Sequence, residues 1–495
     1  MRKLRSISRA AVSSVLLLAV PAAAAETPPP ALRPYLSPLD PSGGRQPLAL
    51  QHVELVDGTG AAPRKDVTVV IRAGRIQSIL AAGEPPPADA RPVDLTGRTV
   101  LPGLVDMHGH LYYADNRGID SEGRDDPTPT FVLTELPVSF PRLYLAGGVT
   151  TVRTTGAVEP STDLEVKRRI ERGELPGPDL FLTAPYLEGV GGGFIQMHAL
   201  ASPTEAKKWV ELWASQGATS FKAYMHLTRA ELAAAIKAAH GLGLPITGHL
   251  CAVTYREAAE LGIDNLEHGF MVDTSLVPGK APDVCPASDA FIASRAAADP
   301  DGAPVRSLFA LLIKHHVAIT STLPVFESAV WDTPAIPEPQ LSLLTPDAQR
   351  NYLWKKAASG AKHDLVYAEA FARELRLELA FARAGGTLLA GSDPTGNGGV
   401  LPGFGQVREL ELLVKAGFTP LEAIRIGTLE GARFLGQDRD IGSVAAGKRA
   451  DLMIVRGNPV ASIGDLENVE TVFRAGVAYD SRALRDSVRG VVGLR

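Results

Sequence analysis

Short apolar runs alternate with amphipathic stretches through the middle of the chain, while the two ends carry a different pattern. From 47 to 103, "LALQHVELVDGTG", "DVTVVIRAGRIQSILAAG" and "RPVDLTGRTVLPG" alternate apolar and polar residues between Gly and Asp turn signals. That period of two belongs to strands with one buried face. The same texture returns in "IGSVAAGKRADLMIVRGNP" and "ENVETVFRAGVAYD". Neither end is long enough to bury a core alone, so 47–103 and 436–495 are expected to join as one small β-sandwich.

Between them, strand-like runs at 101–108, 149–155, 179–184, 219–224, 244–249, 264–268, 317–322 and 387–392 are separated by helical patterns such as "SPTEAKKWVELWASQG", "TRAELAAAIKAAHGLG" and "TYREAAELG". Ser202 and Thr228 each stand three residues before a Glu, the spacing of a capping box. Strand–helix alternation implies a parallel sheet, and right-handed crossovers close it as a (β/α)8 TIM barrel over 104–435. The fold class is therefore α/β, a barrel with a β-sandwich built from both termini. Three segments, 111–130, 271–302 and 325–364, are rich in Pro, Asp and Gly and lack periodicity. They read as long loops over the functional face, where specificity would reside.

The first 25 residues stand apart. Arg2, Lys3, Arg5 and Arg9 precede a short apolar core and the small residues of "PAAAAE", the form of a secretory signal peptide too short to span a bilayer. Export to a periplasm or beyond is the expectation, with 26–46 a flexible Pro-rich lead-in and no further membrane span. Removing four basic residues takes the net charge from −5 to −9, which argues against nucleic-acid and anionic-membrane partners. Cys251 and Cys285 are the only cysteines, and in an oxidising compartment they could pair across neighbouring loops or remain buried thiols.

The chemistry lies at the strand ends. His108 and His110 in "DMHGH" share one face of a strand, and Lys222, His249, His268 and Asp393 each close a later apolar run. The C-terminal ends of barrel strands are where such folds place catalysis. Preceded by "GRTVLPGLVD" and continued through "GSD" to "GSVAAGKRADLMIV", the chain resembles the amidohydrolase superfamily over nearly its whole mature length. Within it, the resemblance is to the group of imidazolonepropionase-like proteins, Xaa-Pro dipeptidases and ochratoxinase-type amidases. That resemblance implies two divalent ions, zinc first, with manganese or cobalt also compatible with the donors. His108, His110 and Asp393 would bind the more buried ion and His249 and His268 the other. Lys222, carboxylated on its amine, would bridge them. It further implies that Asp393 is the general base and acid, and that the protein is a homo-oligomer. Tyr224 is placed to hold an oxyanion and His198 and His226 to line the pocket. Arg153 is read as pairing with an acid inside the barrel.

These residues favour hydrolysis of amide bonds in a peptide or N-acyl amino acid. Lactone, carbamate and phosphotriester hydrolysis would use nearly the same groups. A one-metal deaminase of this superfamily would carry an acid soon after His249, yet none occurs before Glu257. A mononuclear cyclic-amide hydrolase stays open, and a non-catalytic scaffold is disfavoured because no ligand is missing.

Overall fold

The computed structural model describes residues 29–116, 131–194 and 196–493. The expected signal segment 1–25 and the stretch 117–130 lie outside the described residues. Eight strands form the centre: Leu104–Gly109, Val149–Thr154, Asp179–Phe181, Phe221–Ala223, Ile246–Gly248, Asn265–Glu267, Ala318–Ser321 and Leu388–Ala390. All but the third are buried at every residue. Parallel strands covered on both faces have that burial, which is why they read as apolar runs without alternation.

The strands neighbour one another in chain order. The first three pair in parallel, as do the fourth to eighth. Bridges Thr183–Ser220 and Leu187–Ala223 join the third to the fourth. Just past the eighth, the Asp393 N–H donates to the His108 carbonyl of the first at 2.8 Å. This approach demands a glycine at 391, where a Cβ would stand 2.4 Å from that of His108. All strands therefore present their C-terminal ends on one side.

Helices cover the outside with apolar stripes. In Arg229–Gly241, Leu232, Ala235, Ile236 and Ala239 are buried at helical spacing, and Thr228 with Glu231 forms a complete capping box. Ser202 caps its helix from one side only, because the Glu205 carboxylate turns to the Ala201 N–H and His198. The segments 271–302 and 325–364, read as loops, contain the helices Ser288–Ala296 and Pro346–Lys362. The second buries only Ala348 and Tyr352, a stripe too sparse to register as periodicity.

Strands from both ends of the chain lie in one eight-stranded sheet. Its seam is Arg98–Pro102 antiparallel to Leu452–Arg456, over a core that includes Leu50, Val69, Val100, Ile454 and Phe473. Of the expected flexible lead-in, the described residues from 29 on pack against the folded body instead. Leu32 is buried in the main core, and the Ser37 hydroxyl bonds that of Thr471 at 2.9 Å. Among the described residues, no helix is long and apolar enough to cross a membrane.

Candidate metal centre

Side chains converge where the strands end. His108 and His110 leave the first strand on the same face, and one ligand atom from each lies within 4.8 Å of an Asp393 oxygen. Asp393 Oδ1 is 3.5 Å from His110 Nε2 and 3.9 Å from His108 Nε2, and Oδ2 is 3.7 Å from His268 Nδ1. Lys222 Nζ stands 3.2 Å from His108 Nε2. The His249 ring is 4.3 Å from that of His268, centre to centre. Tyr224 lies 4.9 Å from His249, with Lys222 Nζ 5.5 Å over its ring. All six predicted ligand residues thus fall in one cluster.

Two of these residues hold backbones that side chains rarely adopt. His268 has φ 71° and Asp393 φ 42°. Such conformations cost on the order of 1–3 kcal/mol and persist where surrounding contacts enforce them. Beside His268, a Cβ at Gly269 would displace the buried carboxylates of Glu374 and Glu378.

The electrostatics suit a cation. Burial, reinforced by the Lys222 charge, lowers His249 to about 3 and holds His108 well below the imidazole range. Burial likewise lowers His110 and His268. Neutral imidazoles keep a lone pair for a metal. Burial pushes Lys222 down to about 8. Burial alone would raise Asp393, but His108, His110 and Lys222 outweigh it and keep the carboxylate well below its usual range. His110 Nδ1 and His268 Nε2 are buried with no hydrogen-bond partner. Unsatisfied nitrogens of this kind among neutral histidines fit a metal that would complete them.

The substrate-side residues are more dispersed. His198 is half-exposed, bonded to Glu205 at 2.9 Å and stacked on Trp209, away from the cluster. His226 pairs with buried Glu188 at 3.3 Å, two residues beyond Tyr224. Arg153 does pair with an inward-facing acid, Glu267, at 2.6 Å. Cys251 and Cys285 form a disulfide.

Sequence reasoning missed four buried groups. Glu267 accepts from His108 Nδ1 at 2.7 Å. Asp106, raised to about 6 by burial, holds the Ser392 hydroxyl and the His108 N–H. Tyr112 stacks on His110, and its hydroxyl meets that of Tyr186. Period-two counting from Asn265 would have found Glu267, but no local pattern marks the two tyrosines.

The sequence profile of the amidohydrolase family matches residues 99–285 and 376–478. Imidazolonepropionase from Salinispora arenicola (strain CNS-205) is 32% identical over 124 residues, 24% of this chain and 27% of that protein. The Mycolicibacterium smegmatis (strain ATCC 700084 / mc(2)155) imidazolonepropionase is 35% identical over 108 residues, 22% of this chain and 23% of that protein. The chain thus spans about a quarter of the length of these curated relatives. In fold it is similar to a Xaa-Pro dipeptidase with bound methionine, at 21% identity and TM-score 0.63, covering 88% of this chain and 100% of that one. It is likewise similar to A. niger ochratoxinase, at 18% identity and TM-score 0.58, covering 87% of this chain and 95% of the other.

Proposed function

The chain belongs to the amidohydrolase family, and from that premise we propose that it is a metal-dependent hydrolase of amide bonds in peptides or N-acyl amino acids. The observation that carries this reading is the convergence of His108, His110, Lys222, His249, His268 and Asp393 at the ends of parallel strands. In this reading the eight strands close as a (β/α)8 barrel over 104–435, the terminal segments 47–103 and 436–495 form the second module, and residues 1–25 direct export.

His108, His110 and Asp393 would hold one divalent ion and His249 and His268 a second, zinc being the first choice. When bound, the ions supply a water acidic enough to attack near neutral pH and an electrophile for the scissile carbonyl. Lys222, with its pKa brought down to about 8 by burial, exposes a fraction of neutral amine near pH 7. Carboxylated by carbon dioxide with loss of a proton, that amine would offer carbamate oxygens as donors to the ions. Asp393 accepts the proton of the attacking water and returns it to the leaving amine. Tyr224, 9% exposed, offers its hydroxyl to the developing oxyanion.

The test combines metal content of the purified protein with activity on a panel of dipeptides and N-acyl amino acids, and Lys222→Ala as control. Two ions per chain and loss of amide cleavage in the variant are expected. One ion and an indifferent variant would overturn the two-metal reading. They would favour the mononuclear cyclic-amide reading instead.

A further inference from the structure

The strand that presents His268 also carries a carboxylate that no step above uses. Glu267 is fully buried, and its two oxygens are engaged separately. Oε2 lies 2.7 Å from His108 Nδ1. Oε1 accepts from Arg153 Nη2 at 2.6 Å and from the Thr247 hydroxyl. Arg153 is itself 2% exposed and donates through Nε to the Met107 carbonyl and through Nη1 to Asn265 Oδ1, both at 2.8 Å. With both neighbours tied to strand backbone or strand side chains, neither the guanidinium nor the carboxylate can turn away. The charge of Glu267 is compensated where it stands.

A neutral imidazole has one proton, and a carboxylate facing one ring nitrogen draws the proton to that nitrogen. In His108 the nitrogen so faced is Nδ1. Nε2 is then left with its lone pair, and Nε2 is the atom 3.2 Å from Lys222 Nζ and 3.9 Å from Asp393. We infer that Glu267 is a positioning residue: it fixes the tautomer and ring plane of His108 so that Nε2 faces the metal, with Arg153 holding Glu267 in turn. Among the described residues, neither His110 nor His268 has a carboxylate at hydrogen-bonding distance on the ring nitrogen that faces away from Asp393. His110 Nδ1 has no partner, and His268 Nδ1 meets only a hydroxyl, that of Thr322, besides the more distant Asp393. The ion held by His108 should therefore be the tighter of the two. This consequence rests on the metal-dependent reading, whereas the tautomer of His108 does not.

The experiment is nitrogen-15 NMR of histidine side chains in the metal-free full chain, followed by zinc titration against a competing chelator. The His108 signal is assigned by its loss in His108→Gln. In the unaltered protein the His108 proton is expected on Nδ1. In Glu267→Met it is expected to spread over both nitrogens, Lys222 still favouring a lone pair on Nε2, with the tighter zinc ion released about 10- to 100-fold more readily and the weaker ion unaffected. Finding the proton on Nε2 in the unaltered protein overturns the inference whether or not any variant folds. A Glu267→Met protein that melts at lower temperature but keeps its tautomer and zinc affinity also overturns it, leaving Glu267 a packing residue. If the unaltered chain binds no zinc, the metal-dependent reading fails, and the tautomer measurement still decides the role of Glu267.

Discussion

Asp393 combines three features that seldom meet in one residue. Its backbone is left-handed, its carboxylate is kept well below the usual carboxylate range by its neighbours, and its N–H ties the last strand to the first. The Asn substitution keeps the shape and removes the proton acceptor. Asp393→Asn is expected to lower kcat by about 10²- to 10⁴-fold with the fold intact, read by steady-state kinetics on the best amide of the panel beside circular dichroism. Full activity would take Asp393 out of the reaction. Tyr224 offers a second test at the same scale, because Phe keeps the ring against His249 and deletes only the hydroxyl. A fall in kcat of roughly 10²-fold assigns the hydroxyl to the oxyanion, and a change confined to KM assigns it to binding.

At the scale of elements, the disulfide ties together the loops that follow two neighbouring strands, the fifth and sixth. Cys251 follows the fifth strand, and Cys285 lies 34 residues on in the segment after His268. Thr274 donates to the Cys251 carbonyl at 3.1 Å and Lys280 to that of Ala252 at 2.5 Å, so the bridged loops are also laced by hydrogen bonds. Closing a loop of this size restricts the unfolded chain by up to about 4 kcal/mol on the chain-entropy account. The Cys251→Ser, Cys285→Ser double variant should lose that much or less in urea denaturation, and the unaltered protein should lose the same on reduction. Equal stability with and without a thiol reductant would mean the bridge does not form in solution.

For the whole molecule, the sheet built from both termini must be fastened to the strands at their N-terminal side. Arg449 and Arg474, from the terminal sheet and its connection, both bond Asp179 at the start of the third parallel strand. Burial would raise Asp179, but the two guanidinium groups outweigh it, and its carboxyl titrates below the usual range. A depressed folded pKa stabilises the protein above the ordinary carboxylate range, and that contribution is lost as pH falls through the depressed value. Asp179→Asn takes the carboxylate from Arg474, while Arg449 keeps Asp451, and should cost about 2 kcal/mol at pH 7, and less in strong acid. Urea unfolding at pH 7 and pH 3 measures both terms, and a cost that does not shrink with acid would exclude the ion network as its cause. What the sequence by itself determined was every feature with a local cause. Parallel strands buried on both faces must be short apolar runs, so all eight were legible to within a few residues. Residues at their C-terminal ends must share one side, so the six residues that cluster there were legible too. What only the tertiary structure decided depends on partners distant in the chain. Glu267 meets His108 across 159 positions, Tyr112 meets Tyr186 across 74, and the helix Pro346–Lys362 exists with only two buried side chains. The sequence carries no periodicity for such contacts, because each is made by folding the whole chain rather than by the residues next to it.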